Sequence, residues 1–429
     1  MSTDLFRRPL RAIASGEATA PAFAVSQLAR IDATDDAIEA WAHLDAAHVR
    51  EEAQRCDSQH ARGALAGCGI GVKDIIATSE LPTQIGSPVY AGHRPEQDAQ
   101  CVARIKQAGG FVFGKTVTTE FAFMHAGKTK NPWNREHTPG GSSSGSAAAV
   151  AAGHVAAAIG TQTNGSVVRP AAYCGVVGFK PTTGAIPYAG INVFSATLDA
   201  VGTFTRNVAD AALLASAIAE RARIASTIVP LAQAPQLAYL AAFPWTPLDC
   251  DTDDAQEAAL TTLRRHGADV VAVELPHEWH TAHMTLRTIM LYEGAQALGP
   301  LQQRERARLS AKLNAALDEG AAISRTDYQS AVDVRQRAIV ALATWLDEFD
   351  AIVTPPAPGP APRGLDTTGD PSCCTLWSLL GFPAITIPCA LAPNGLPLGL
   401  QIAAPVDRDD RVLAVAAWCE SKLPFRGLV

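Results

Sequence analysis

The sequence has no long hydrophobic run and little charge. No segment reaches about 18 consecutive apolar residues, so we expect no membrane-spanning helix and no membrane partner. Charged residues make up 18% of the chain, without extended runs of one sign, and the formal net charge is −7. Because binding to phosphates requires a basic face, this balance argues against nucleic acid as the main partner. The 48% of hydrophobic residues is too high for a disordered chain and indicates a folded protein.

A disulfide framework is also missing. The nine cysteines are scattered, and the adjacent pair Cys373 and Cys374 cannot easily form an unstrained mutual disulfide. No continuous apolar core follows the N-terminal arginines Arg7, Arg8 and Arg11, so a signal peptide is not expected. Reduced thiols and a cytoplasmic location are therefore the prediction.

Helical patterns alternate with short apolar segments, which predicts a layered α/β fold around a central sheet. No internal repeat or clean linker is visible, so we expect residues 1–429 to form a single domain, with N-terminal helices in residues 1–60. Residues 276–347 have a helical pattern and predict an insertion over one side of the sheet. The predicted helices are Ala20–Ile31, Ile38–Cys56, Ala99–Ala108, Ala147–Gly153 and Asp254–His266. The predicted strands are Gly69–Ile76, Phe111–Lys115, Val155–Thr161, Gly175–Phe179, Gln236–Phe243, Asp269–Leu275, Ala351–Thr354, Ala384–Pro388 and Leu398–Ala403.

Two Gly/Ser clusters, around Ser142 and Ser166, carry the strongest functional signal. A flexible linker is disfavoured because the clusters lie between ordered-looking segments. A phosphate-binding P-loop is excluded because it ends in Gly-Lys-Ser/Thr, and no lysine is present. Residues 141–145 match the G-x-S-x-G nucleophile elbow, but that elbow follows a strand and residues 131–138 are polar and loop-like. Serines among small residues, just before Arg169, indicate chemistry on a carbonyl.

Such serines need a base, and the histidines offer no clear one. A local histidine cluster does not match the H-E-x-x-H pattern because Thr281 stands where the second histidine is required, so a solvated helix end is favoured over a metal site. This cluster comprises His277, Glu278, His280 and His283. Lys73 lies in the apolar run Gly69–Ile76, where burial would favour its neutral form and make it a base. A lysine at a strand end could also reach water along its own stem, and the spacing leaves both interpretations open.

Together these motifs resemble the amidase signature enzymes, which use a Ser–Ser–Lys triad. The resemblance rests on Gly71–Asp74, Thr138–Ser146, Gly160–Thr161, Gly165–Ser166 and Arg169–Pro181, with weaker similarity over nearly the whole chain. It implies an α/β/α layered fold with a central mixed, mostly parallel, twisted sheet. It also implies a signature core in residues 61–230, with the 276–347 insertion covering the active site.

The resemblance assigns roles to individual residues. It implies Ser166 as the nucleophile, Ser142 as the bridging serine after a cis peptide bond with Gly141, and Lys73 as the base. Ser143 is expected to orient this proton relay or to contact substrate. The backbone N–H groups implied for the oxyanion hole are those of Thr163, Asn164, Gly165 and Ser166. Neither a metal nor a cofactor is implied.

Within the family, the sequence is most similar to a malonamidase-like subgroup. This similarity rests on Gln162, on residues 368–371 and on residues 376–381. It implies that Gln162 and Arg169 take part in substrate binding, with Arg169 holding a carboxylate; a structural ion pair of Arg169 is the alternative. Asn164 stands where glycine is usual in the family.

The implied function is hydrolysis of the C–N bond of a small amide, carboxylated in one version, through an acyl-enzyme on Ser166 that releases ammonia or an amine. The alternatives are an A-type subunit of a glutamyl-tRNA amidotransferase-like complex and a non-catalytic member of the family. A small amide is the expected partner, and a homodimer is a further expectation because related enzymes are often dimers. Residues 276–347 and Phe121–His125 are expected to line the leaving-group side.

Overall fold

The computed structural model describes residues 10, 12–13, 15, 17–58, 63–220 and 224–428. The N-terminal arginines and the first part of the predicted 1–60 helical region lie outside the described residues. The α-helices are α1 (Ala20–Ile38), α2 (Ala46–Ser58), α3 (Gln100–Gln107), α4 (Ser144–Ala151), α5 (Val168–Cys174), α6 (Val208–Ile218), α7 (Cys250–Arg265), α8 (Ala282–Glu305), α9 (Ala311–Ala322), α10 (Arg325–Trp345), α11 (Thr375–Leu380) and α12 (Asp409–Glu420). The strands are β1 (Trp41–His43), β2 (Gly69–Lys73), β3 (Phe111–Thr116), β4 (Ala158–Gln162), β5 (Val177–Lys180), β6 (Ala200–Thr205), β7 (Gln236–Tyr239), β8 (Asp269–Ala272), β9 (Ala351–Thr354), β10 (Ala384–Leu391) and β11 (Pro397–Ala403).

These eleven strands form one sheet in the order β1-β3-β2-β4-β6-β5-β10-β11-β9-β7-β8. The layered α/β class and the mixed sheet are confirmed. Among the described strands, however, six of the ten pairings are antiparallel, which corrects the expectation of a mostly parallel sheet. Short connections cause part of this difference, since β10 and β11 are joined by a tight turn and only antiparallel strands can be joined in that way.

Side chains alternate between the two faces of the sheet, and helices cover both faces. Ile70 and Val72 of β2 point into a core covered by α3, α6 and α12. Phe111 and Phe113 of β3 point to the opposite face, under α1, α2 and α4. Further along that second face, Ala238 lies beneath α8, α10 and α11. The result is the expected α/β/α layering, with the last strand residue of β2, Lys73, buried inside it.

The segment Ile38–Cys56, predicted as one helix, contains a strand instead. Helix α1 ends at Ile38, and Glu39 adopts a left-handed conformation with φ of 57°. Trp41 then pairs with Thr116 of β3 and packs on Phe113, with ring centroids 5.7 Å apart. The alanine-rich pattern is compatible with a helix, but pairing to the open edge of β3 decides the outcome.

Strand β6 has no counterpart in the predicted set, although all six of its residues are buried. It lies between β4 and β5 and pairs antiparallel with both. Residues 276–347 are helical over most of their length, in α8, α9 and α10. None of the helices in the described part of the chain is long and apolar enough to cross a membrane.

Candidate active site

Lys73, at the end of β2, lies in a buried position and contacts a serine hydroxyl. Its Nζ lies 2.7 Å from Ser142 Oγ and 2.9 Å from Thr161 Oγ1. The side chain is fully buried, so the alternative of a lysine that reaches water is wrong. Burial lowers the pKa of Lys73 to about 7, while the negative charge of Asp199 partly opposes this shift. A neutral amine is therefore available as a proton acceptor near neutral pH.

Close packing fixes Ser142, the partner of Lys73. The Gly141–Ser142 peptide bond is cis. Gly140 has φ of 84°, and a Cβ there would lie 2.7 Å from Pro170 Cα, so only glycine fits. A Cβ on Gly141 would lie 2.7 Å from the Thr368 side chain. The two glycines thus allow the chain to present Ser142 between these neighbours.

The segment Thr163–Ser166 connects β4 to α5 and carries the second serine. Ser166 is 9% exposed and, like Ser142, lines the cavity described below. Within the described part of the protein, the backbone N–H groups of Thr163–Ser166 have no hydrogen-bond acceptor. Free backbone donors beside a serine hydroxyl are suited to stabilising an oxyanion.

Gln162 does not line the cavity, which corrects its assignment to substrate binding. Its Oε1 accepts hydrogen bonds from the backbone N–H groups of Val167 (2.8 Å) and Val168 (3.0 Å). Its Nε2 donates to Ser378 Oγ at 3.0 Å. The side chain is fully buried, and its hydrogen bonds are made within the protein. Gln162 therefore holds the loop of Ser166 against α5 and α11.

Ser143 is likewise buried and does not line the cavity. Its Oγ donates to Thr161 O at 3.2 Å and accepts from Thr161 N at 3.3 Å. Since Thr161 bonds to the Lys73 amine, Ser143 positions Lys73 indirectly, and its assignment as a substrate contact is corrected. Thr161 itself, quoted only as part of a motif in the sequence, is a site residue with a role that the sequence did not reveal.

Arg169, on α5, lines the cavity with part of its guanidinium uncommitted. Its Nη2 donates to Gly141 O at 2.7 Å and to Thr368 Oγ1 at 3.1 Å. Its Nε and Nη1 are buried and have no partner in the described structure. Burial lowers the pKa of Arg169, because the charged form is desolvated. Buried unpaired donors are costly, so an anionic or carbonyl group of a ligand would be favoured there.

Three further hydrogen bonds, at Asn164 and Thr163, hold the loop that carries Ser166. Asn164, which lines the cavity, accepts a hydrogen bond from Thr375 at its Oδ1 (2.9 Å), and its backbone oxygen accepts one from Ser378. Asp199 accepts from the Thr163 hydroxyl and, at 2.8 Å, from Phe194 N. Burial raises the pKa of Asp199 to about 6. The signal in the sequence that could have identified Asp199 is its single carboxylate in the apolar stretch before β6.

The two serines, the loop Thr163–Ser166 and Arg169 surround one cavity of about 50 Å³. Its opposite wall is apolar and comes from three segments: residues 122–124, Phe194 and helix α8. Residues 122–124 lie within Phe121–His125 and α8 lies within residues 276–347; the place of both on the leaving-group side stays a prediction. Phe123 and Phe194 stack there with ring centroids 5.1 Å apart. The lining residues on this side are Ala122, Phe123, Met124, Phe194 and Met290.

The histidine cluster lies elsewhere and does not form a ligand set. His280 Nε2 is 3.0 Å from Leu275 O, and the His283 ring packs on Trp245. Among the described residues, the group of three whose ligand atoms approach one another within 4.8 Å is the exposed set Asp249, Cys250 and Asp251. The nine cysteines carry no disulfide.

Comparison with known proteins identifies relatives over nearly the whole chain. The Amidase family model matches residues 24–413. The A-type subunit of glutamyl-tRNA(Gln) amidotransferase from Salinispora arenicola (strain CNS-205) is 33% identical, with 96% of each chain covered. A crystal structure of an amidase superimposes with a TM-score of 0.88 at 30% identity, covering 98% of this chain and all of the other. The corresponding amidotransferase protein of Thermotoga maritima gives a TM-score of 0.76 at 28% identity, covering 92% and 89%.

Proposed function

This chain belongs to the amidase family, and we propose that it hydrolyses the C–N bond of a small amide through an acyl-enzyme on Ser166. The observation that carries the proposal is the 2.7 Å contact between the buried Lys73 amine and the Ser142 hydroxyl. Ser142 lines the same cavity as Ser166. The cavity of about 50 Å³ is far below the roughly 300–1,000 Å³ of pockets for drug-sized ligands. Its size supports a small substrate.

In the proposed mechanism, protons move along the three side chains. Neutral Lys73 takes the proton of Ser142, Ser142 takes the proton of Ser166, and the Ser166 oxygen attacks the amide carbon. The backbone N–H groups of Thr163–Ser166 hold the resulting oxyanion. The relay then returns a proton to the leaving nitrogen, the C–N bond breaks, and ammonia or an amine departs. Water hydrolyses the acyl ester by the same relay and regenerates Ser166.

A second candidate is an A-type subunit of an amidotransferase, and the curated relatives favour it. They are named as the A-type subunits of glutamyl-tRNA(Gln) amidotransferases, and the similarity to the first of them spans 96% of both chains. In that case the chain would work with partner subunits and near tRNA, against the expectation of no nucleic-acid partner. The net charge of −7 supports contact with tRNA through partners rather than through this chain itself. Both candidates require amide cleavage at Ser166.

The deciding experiment measures ammonia release by the purified chain alone. The substrates are malonamate, glutamine, asparagine, aliphatic and aryl amides and ureas, and Ser166 is labelled in parallel with a fluorophosphonate. Labelling together with turnover of a free amide other than glutamine or asparagine supports the stand-alone hydrolase. Labelling with ammonia release confined to glutamine or asparagine supports the amidotransferase role. A folded protein that neither labels nor releases ammonia is a non-catalytic member, which contradicts the proposal. Light scattering tests the expected homodimer.

Arg169 supplies the finer part of the proposal, recognition of a substrate carboxylate. We expect Arg169→Lys to raise KM for malonamate on the order of 10- to 100-fold, because a charge-assisted, two-pronged hydrogen bond is lost. The KM for malonamide, the neutral analogue, should change by less than about 3-fold, since it offers no carboxylate. Steady-state kinetics with both substrates checks this prediction. An equal loss with both amides would mean that Arg169 acts only through its bonds to Gly141 and Thr368.

A further inference from the structure

Helix α8 holds one wall of the cavity through two neighbouring residues, Glu293 and Gly294. These two residues contact the loop Phe194–Asp199, which lies between β5 and β6 and leads directly into β6. Phe194 forms part of the cavity wall, and Asp199 bonds to the loop of Ser166 through Thr163. Any movement of the loop Phe194–Asp199 therefore affects the cavity directly.

Glu293 accepts four hydrogen bonds, three of them from this loop. Ser195 Oγ donates to Oε2 at 2.5 Å, and Thr197 donates from its backbone N–H at 3.0 Å and from its hydroxyl at 2.5 Å. The fourth comes from the Tyr328 hydroxyl on α10, at 2.7 Å. One carboxylate thus joins two helices of the 276–347 insertion to the loop.

Gly294 provides the second contact, which is steric. A Cβ built on Gly294 would lie 2.5 Å from the Phe194 ring, closer than real contacts allow. The ring therefore lies directly on the backbone of α8, and it also stacks on Phe123. Because residue 294 has no side chain, the Phe194 ring can lie against the α8 backbone, and this contact sets the position of the ring in the cavity wall.

We propose that Glu293 and Gly294 act as positioning residues that set the width of the apolar wall and so determine which amide substituents the site accepts. This inference rests on the proposed amide hydrolysis at Ser166. The hydrogen bonds of Glu293 fix the loop Phe194–Asp199, and the bare backbone at Gly294 provides the surface on which the Phe194 ring packs. Substrates with a longer apolar substituent contact Phe194, whereas the smallest amides do not reach it.

The test compares acetamide with two longer amides, butanamide and N-propylacetamide, in Gly294→Ala and Glu293→Gln variants. In Gly294→Ala the added methyl pushes the Phe194 ring towards the cavity, while alanine favours the helix and protects folding. We expect kcat/KM for at least one longer amide to fall about 10-fold or more, through KM, with acetamide changed less than about 3-fold. Glu293→Gln should change the same ratio in the same direction, and Tyr328→Phe, which loses one bond of four, should change it less.

Glu319→Gln is the matched control. Glu319 pairs with Arg287 across the exposed side of α8 and α9, with contacts at 2.6 and 3.0 Å, and we expect no change in the ratio. Labelling rates of Ser166 with short- and long-chain alkyl fluorophosphonates give a readout that does not need turnover. Equal losses for acetamide and the longer amides, or unchanged ratios in both principal variants, would overturn the inference while leaving the proposed function intact. A wild-type protein that neither hydrolyses these amides nor labels at Ser166 overturns both.

Discussion

Replacement of Ser166 by alanine is expected to reduce amide hydrolysis on the order of 10⁵-fold or more, to a residual rate without an acyl-enzyme. Alanine removes the oxygen that we propose attacks the amide, while Lys73, Ser142 and the backbone N–H groups of Thr163–Ser166 stay in place. Loss of a nucleophile in a triad that acts as a unit typically costs about 10⁶-fold in kcat. Ammonia release and mass spectrometry of the trapped acyl-enzyme measure both parts of the prediction.

Ser144→Ala is the matched control for this loss. Ser144 comes from the same Gly/Ser cluster, but its hydroxyl only donates to Val117 O, at 3.3 Å, and does not line the cavity. Its removal should cost about 1 kcal/mol of stability or less and leave kcat within roughly 3-fold. Full activity in a folded Ser166→Ala protein would contradict the assignment of Ser166 as the nucleophile.

The second large effect is expected for Lys73→Met, with a loss on the order of 10²- to 10⁴-fold at neutral pH, the usual contribution of a general base. Methionine keeps an unbranched apolar chain in the buried position but cannot take a proton from Ser142. Stability should not fall at neutral pH, because the desolvation that lowers the Lys73 pKa penalises the charged amine. Kinetics and denaturant unfolding together separate lost chemistry from lost folding.

The pH profile identifies the base more directly than the size of the loss. Because the pKa of Lys73 is lowered to about 7, the neutral form that the proposed mechanism requires becomes dominant above that pH. The wild-type kcat/KM should therefore rise through about pH 7 to an alkaline plateau. In Lys73→Met the step should disappear, leaving a residual rate with no titration near pH 7.

Lys180→Met is a demanding control for this profile. Lys180 is also fully buried, burial also lowers its pKa to about 7, and it does not line the cavity. Its amine donates to Pro181 O at 3.0 Å. If Lys73 is the base, Lys180→Met keeps the step near pH 7. A step that survives in Lys73→Met and vanishes in Lys180→Met would contradict the proposed base.

The sequence and the structure agree best where local chemistry is restrictive. The backbone at Gly140 and Gly141 passes so close to Pro170 and Thr368 that a side chain would not fit. The two glycines therefore indicate this turn already in the sequence. The apolar runs of β2 and β3 are readable because both strands are buried in full. The sequence pattern does not predict the edge strand β1, because this strand depends on pairing with β3 and not on its own pattern.

The sequence by itself determined the candidate triad, because the motifs around Lys73, Ser142 and Ser166 are specific, and it determined the layered α/β class through its alternating patterns. Only the tertiary structure decided how the other polar residues act. The sequence predicts Gln162 in substrate binding, whereas the structure shows that it supports the loop, because its amide donates a hydrogen bond to Ser378, 216 positions away. Asp199 and Glu293 became visible for the same reason. A local pattern shows which side chains are buried, whereas the partner of a buried polar group depends on which distant segments the fold brings together.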